Sequence, residues 1–170
     1  VFTSNVDGQF QQAGWDSDRI VECHGSIHFL QCLVRCSDAI WPADDVTVEV
    51  DAETCRAKGE LPTCPGCGLL ARPNVLMFGD AGWLPGRTDD QERRYAAWRN
   101  GLPREALTAV ELGAGTAIAT VRRECERRAD RLVRINPRDA AVPAGGVALK
   151  CGALDALDRL DAALRELERV

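Results

Sequence analysis

The sequence has no run approaching the ~18 consecutive apolar residues that a membrane-spanning helix needs, and no signal-peptide pattern at its start. The first of these gaps argues against a membrane-spanning helix in this sequence. Positive charge is also short: 21 Lys and Arg face 26 Asp and Glu, for a net charge of −5, and all but two of the basic residues are arginine. Nucleic-acid binders carry a basic excess, so that partner class is disfavoured. The one basic cluster, Arg122-Arg123 with Arg127-Arg128 and Arg131, alternates with Glu124 and Glu126 and reads as the solvated face of a helix. There is no internal repeat and no low-complexity tract. What remains is an ordinary globular chain: 170 residues that are 45% hydrophobic, enough for one domain or a domain with a small insert. It opens on Val1-Phe2-Thr3-Ser4-Asn5, inside a β-type run and without methionine, so a preceding segment is expected.

Cysteine, by contrast, is plentiful. Four of the eight form two close pairs, Cys32 with Cys36 and Cys64-Pro65-Gly66-Cys67-Gly68. Thiolates bind zinc tetrahedrally, and two short-spaced pairs from separate loops supply four ligands while closing a module too small for its own core. In Cys-Pro-x-Cys-Gly the proline sets φ and the glycine allows the tight turn that aims both sulfurs at one ion. The competing reading is a set of unrelated buried thiols. Metal spacing in a chain of this length favours a reducing, cytoplasmic setting over a disulfide framework.

Along the chain, residues 1–5 and 19–23 read as strands flanking a helical stretch at 7–13 closed by Gly14. Residues 26–73 turn irregular in pattern, hold both cysteine pairs and read as a small ribbon of short strands. The apolar run 75–78 reads as a strand returning to the main body, 89–99 as a helix, and 102–112 as helix or helix then strand. Gly113-Ala114-Gly115-Thr116 forms a turn into a helix reaching about 130; 131–136 and 146–150 are strands. Leu154, Leu157, Leu160, Leu164 and Leu167 recur at three and four residues, the mark of an amphipathic closing helix. Strands alternating with helices predict an α/β fold: a partial Rossmann-like parallel sheet domain made of 1–25 and 74–170, with a zinc-binding module inserted at 26–73.

An open parallel sheet binds ligands beyond the carboxyl ends of its strands. Three such ends carry small or polar residues: Ser4-Asn5-Val6-Asp7, Gly113-Ala114-Gly115-Thr116 and Asn136. Asp7 serves as a helix cap as readily as a functional acid, and Asn136 before Pro137 as a turn starter. His24, after the second strand and before Gly25, is either a satisfied structural side chain or a general base able to take a hydroxyl proton near neutral pH. His28 reads as structural.

The ordered set Thr3-Ser4-Asn5-Val6-Asp7-Gly8, Ala13-Gly14, His24-Gly25-Ser26, two cysteine pairs, Arg72-Pro73-Asn74-Val75-Leu76-Met77-Phe78-Gly79-Asp80, Gly115-Thr116 and Ile135-Asn136 resembles the sirtuins, NAD-dependent protein deacylases, from Val1 to about Leu160. The resemblance implies that the acyl oxygen of an acylated lysine displaces nicotinamide from the NAD ribose, with His24 as base for a ribose hydroxyl. It implies that Ser4, Asn5, Asp7, Gly115, Thr116, Asn136 and Cys151 lie along NAD, and that Leu76, Phe78 and Gly79 hold the acyl-lysine, against the plainer reading of Leu76 and Phe78 as core. It implies a structural zinc on Cys32, Cys36, Cys64 and Cys67. The partners it implies are an acylated protein lysine and the missing N-terminal segment or a partner chain, with no nucleic acid and no membrane. Four positions depart from the pattern: Ser4 for glutamine, Phe10 for histidine, Asp80 for glutamate and Ala117 for serine. The opening strand and Gly-Ala-Gly-x-Ser turn of the family are not in this sequence. A second reading is therefore a catalytically impaired NAD- or ADP-ribose-binding module, or an NAD hydrolase that uses no acyl acceptor.

Overall fold

The computed structural model describes residues 1–103 and 105–169. The chain divides into two units, Val1–Asn100 and Gly101–Val170. In the first, β1 (Phe2–Thr3) pairs in parallel with β2 (Val21–Glu22), Phe2 opposite Val21 and Thr3 opposite Glu22. Parallel neighbours require a crossover. Here it is a short helix, α1 (Gln9–Gln12), and a 3-10 turn at Ser17–Arg19 that Asp16 caps by accepting the Asp18 N–H at 2.9 Å. The helix is shorter than the 7–13 stretch the sequence predicts.

After Gly25 the chain changes habit. The eight-residue strand β3 (Gly25–Cys32) is antiparallel to β4 (Ile40–Pro42) on one side and to β7 (Ala71–Val75) on the other. A separate antiparallel ribbon, β5 (Glu49–Val50) with β6 (Ala57–Lys58), lies between them in sequence. The cysteine-bearing stretch is built of strands, as the sequence predicts, with β3 the longest of them. One expectation is corrected here: the strand near 75–78 lies earlier, ending at Val75. The last bond of this pairing runs from the Leu76 N–H to the His24 carbonyl at 2.9 Å, after which the chain turns away through Gly79 at φ +66°.

Hydrogen bonds with distant partners explain why polar residues line this core. Gln31 and Asn74, both 0% exposed, sit side by side: Asn74 Nδ2 donates to Gln31 Oε1 and to the Leu84 carbonyl, each at 2.9 Å, and Gln31 Nε2 donates to the Gly82 carbonyl at 2.7 Å. Ile20, Val21, Leu30 and Leu84 supply the apolar part. Helix α2 (Gly86–Asn100) buries only Thr88 and Gln91 and docks through polar contacts together with the Tyr95 ring, 5.9 Å from that of Phe2. Thr88 Oγ1 donates to the Glu22 carbonyl at 3.2 Å, the Glu22 N–H donates to Gln91 Oε1 at 3.0 Å, and Arg87 pairs with the buried Glu22 carboxylate.

The second unit is a three-stranded parallel sheet in the order β10–β9–β8: β8 (Thr108–Leu112), β9 (Arg131–Ile135) and β10 (Val147–Leu149). Helix α3 (Thr120–Arg128) makes the β8–β9 crossover. Of the 102–112 stretch, strand covers only the last five residues. On this sheet Arg134 is nearly sealed, 1% exposed, and forks onto Glu111 at 2.6 and 2.8 Å with Glu126 at 2.8 Å as a second partner. The closing helix α4 (Ala153–Leu167) forms as the leucine spacing predicts, but it buries only Ala156, and Leu154, Leu157, Leu164 and Leu167 are exposed. The fold is α/β with parallel strand pairs and a four-cysteine module, as the sequence predicts.

Candidate functional site

In the first unit the two parallel strands end together. Val21 N–H donates to the Val1 carbonyl at 2.9 Å and Cys23 N–H to the Thr3 carbonyl at 3.0 Å, so the Ser4–Asp7 loop and His24 leave adjacent strand ends on the same side. The Ser26 hydroxyl and the Ile27 N–H both reach the Val6 carbonyl, at 3.5 and 2.9 Å, which closes the loop against β3. His24 is half-buried and Asn5 exposed. Asp7 Oδ1 accepts the Gln9 N–H at 3.2 Å, but the N-cap of α1 is Gly8, so Asp7 precedes the cap rather than forming it. His28 Nε2 donates to the Asp7 carbonyl at 2.9 Å, a structural tie.

Gly25 fixes how His24 enters the strand. Its φ is +79°, in the left-handed region, and a Cβ there would lie 2.0 Å from the Asn74 carbonyl oxygen. Only glycine lets β7 come this close. The same approach brings Leu76 onto the His24 carbonyl, so the loop of Leu76, Met77, Phe78 and Gly79 begins at the histidine backbone. Phe78 is 89% exposed, which removes the reading of that side chain as core.

The four cysteines assemble at the other end of β3. Cys32 closes the strand, Arg35 at φ 53° turns the chain back to Cys36, and the Gly68 N–H donates to the Cys64 carbonyl at 2.9 Å to close the second knuckle. All four sulfurs lie within 4.8 Å of one another, with Cys32 and Cys67 3.7 Å apart and Cys36 and Cys64 3.5 Å apart. Sulfurs sharing one tetrahedral zinc at about 2.3 Å stand roughly 3.8 Å apart, so donor type and spacing both fit zinc. The Cys36 N–H lowers the Cys32 thiol to about 6, whereas the neighbouring thiols, Cys64 first, push Cys36 up to about 12. Four thiolates this close repel unless a cation joins them, which is the electrostatic case for a metal.

In the second unit the predicted residues also gather at strand ends. Gly113 N–H donates to the Ile135 carbonyl at 2.9 Å, Asn136 N–H to the Leu149 carbonyl at 3.1 Å, and Cys151 follows β10 directly. Asn136 Nδ2 donates to the Ala114 carbonyl at 3.2 Å, while its Oδ1 accepts the Arg138 and Asp139 N–H groups, each at 2.9 Å. Asn136 therefore braces the Gly113–Thr116 turn and starts a turn of its own. A Cβ at Gly113 or Gly115 would meet nothing within 4 Å, leaving open backbone where a nucleotide phosphate or ribose can approach. Two participants were missed from sequence: Arg72, which pairs with Asp80, and Asn74, which receives Gly25. Their only sequence signal was their place in the Arg72–Asp80 segment, because each acts through a partner distant in the chain or folded back on it.

A model described as Sir2 family matches residues 1–91. An NAD-dependent protein deacylase 2 from Pyrobaculum aerophilum is 34% identical over 94% of this chain and 57% of its own length. A probable bifunctional ADP-ribose hydrolase/ADP-ribosyltransferase from Fusarium oxysporum f. sp. cubense is 29% identical over 68% of this chain and 20% of its own length. A solved structure of Sir2 bound to acetylated peptide superposes with a TM-score of 0.62 at 21% identity, covering 94% of this chain and 61% of that one. That likeness is one of fold. The chain spans 57% of the length of the Pyrobaculum relative.

Proposed function

Because this chain belongs to the Sir2 family, whose model matches more than half of it, we propose that it carries the His24-centred part of an NAD-dependent protein lysine deacylase. The observation that carries this reading is the backbone junction at His24: Cys23 is bonded to β1 beside the Ser4–Asp7 loop, and the His24 carbonyl receives Leu76 of the exposed apolar loop. In this reading Ser4, Asn5 and Asp7 are the NAD-binding positions of the first unit, and Gly115, Thr116, Asn136 and Cys151 are the NAD-binding positions of the second. When bound, NAD supplies an electrophilic ribose carbon with nicotinamide as its leaving group. The residues do the rest. Asn5 and Asp7 orient the ribose, and His24 takes the proton of a ribose hydroxyl at an imidazole nitrogen. Leu76, Phe78 and Gly79 line the approach of the acyl-lysine and keep water from it. Cys32, Cys36, Cys64 and Cys67 hold a zinc that keeps the 26–73 module in shape and takes no part in chemistry. A thiolate ligand set suits a reducing compartment, and on that ground we assign the reaction to the cytoplasm.

The test is nicotinamide release by the full protein carrying this chain, with NAD and an acetyl-lysine peptide. Turnover is expected, with His24→Ala lowering kcat by at least about a hundredfold; undiminished turnover in that variant refutes the assigned base. The Fusarium relative's name favours a second reading, in which the same residues bind ADP-ribose or hydrolyse NAD. Nicotinamide release that is independent of peptide would select it.

A further inference from the structure

An ion pair joins the last strand of the antiparallel sheet to the loop that follows it. Arg72 Nη1 donates to Asp80 Oδ1 at 3.1 Å and Arg72 Nη2 to Asp80 Oδ2 at 2.5 Å; the same Nη2 donates to the Val75 carbonyl at 2.6 Å. Asp80 then accepts two backbone N–H groups from the bend itself, Gly82 at 3.1 Å on Oδ1 and Met77 at 3.4 Å on Oδ2. Both side chains are largely buried, so the pair is weakly screened.

What the pair encloses is unusual. Leu76, Met77 and Phe78 are all exposed, so no packing of their own fixes the loop. Apart from the Leu76 bond to His24, the loop's backbone contacts are the short-range Asp80 to Met77 and Ala81 to Gly79 bonds. An apolar loop held outward by charge-assisted bonds, and tied at its start to a histidine backbone, has the character of a preorganised contact surface.

We propose that Arg72 and Asp80 are a positioning pair that holds the Leu76–Gly79 loop in the shape that receives the acylated peptide, at a fixed distance from His24. The inference rests on the deacylase reading above and adds to it two residues that touch neither peptide nor cofactor. The pair needs both the fork of the guanidinium and the charge of the carboxylate. Lysine at position 72 offers one ammonium where the guanidinium makes four bonds, the fourth from Nε to the Pro73 carbonyl at 3.4 Å, and asparagine at position 80 keeps the shape but loses the anion.

The experiment compares Asp80→Asn, Arg72→Lys and Asp80→Glu in the full protein carrying this chain. It reads the KM for an acetyl-lysine peptide, the KM for NAD, and direct binding of the labelled peptide by fluorescence anisotropy. Asp80→Asn and Arg72→Lys are expected to weaken peptide binding and raise the peptide KM about tenfold or more, with the NAD KM within about twofold. Asp80→Glu, which keeps the carboxylate, is expected to stay within about threefold of the parent. A merely structural role would move both KM values together. Parent binding that is unchanged in both Asp80→Asn and Arg72→Lys, or a matched rise in both KM values, overturns the positioning role alone. Absence of peptide binding by the parent protein overturns the deacylase reading and the positioning role with it.

Discussion

Replacing Gly25 with alanine tests the central junction most directly. Two costs are separable. Gly25 has φ +79°, and a non-glycine residue in the left-handed region loses about 1–2 kcal/mol. The added Cβ would also lie 2.0 Å from the Asn74 carbonyl oxygen, and relieving that contact requires β3 and β7 to part by about 1 Å. Parting them breaks the Gly25 to Val75 pairing and stretches the 2.9 Å bond from Leu76 N–H to the His24 carbonyl beyond hydrogen-bond range. Two lost bonds at about 1 kcal/mol each bring the total to about 3–4 kcal/mol, a large share of the 5–15 kcal/mol that holds a typical domain together. Gly59→Ala is the control: φ is +75° but nothing lies within 4 Å, so only the torsional cost of about 1–2 kcal/mol should appear. Urea denaturation followed by circular dichroism gives both numbers, and amide exchange at Leu76 reports the junction itself. The reasoning fails if the two variants are equally destabilised, or if Leu76 stays protected in Gly25→Ala.

Three further outcomes follow from other parts of the chain. Glu111→Gln should cost about 3 kcal/mol, because it removes the fully buried partner of Arg134, whereas Glu126→Gln at the solvent-facing side should cost under about 1 kcal/mol; equal losses in urea melts would refute that ranking. Asp51 is lowered to about 2 by Lys58, with the Thr54 backbone and side chain adding to the effect. Its contribution to the β5–β6 ribbon is therefore complete above about pH 4 and lost as pH falls towards 2; an NMR titration in which the Asp51 carboxyl moves at an ordinary carboxylate pH would contradict this. Zinc should be present at one ion per chain by atomic absorption and should fall in Cys64→Ser along with thermal stability; a metal-free, equally stable parent protein would remove the cluster's assigned role.

The parts of the fold visible in the sequence are those governed by local pattern. The leucine period of α4, the strand at 131–135 and the cysteine spacings each record short-range constraints, and each appears where expected. The misplaced strand near 75–78 had the opposite cause. Val75-Leu76-Met77-Phe78 looks like a buried strand by composition, yet an exposed contact surface uses the same residue types, and only the Arg72–Asp80 fork tells them apart. The bounds of strand β3 are not legible in the sequence because its buried polar residues, Ser26 and Gln31, are satisfied by groups up to 53 positions away. The constraint on Gly25, the Asn74 carbonyl, is nearly fifty residues downstream and leaves no local mark in the sequence.

Strand β7 is five residues long, with Ala71 opposite Cys32 at the sulfur cluster and Val75 opposite Gly25 beside the histidine. A strand of that kind acts as a gauge block. Adding or removing one residue would shift every following side chain to the opposite face and move the Leu76 junction by about 3.3 Å. Changes of length in this part of the molecule should therefore be confined to the segments between the strands, and above all to the stretch carrying the β5–β6 ribbon. A circularly permuted or loop-extended version opened there should keep both ends of the gauge in place, while a single-residue insertion between Ala71 and Val75 should not.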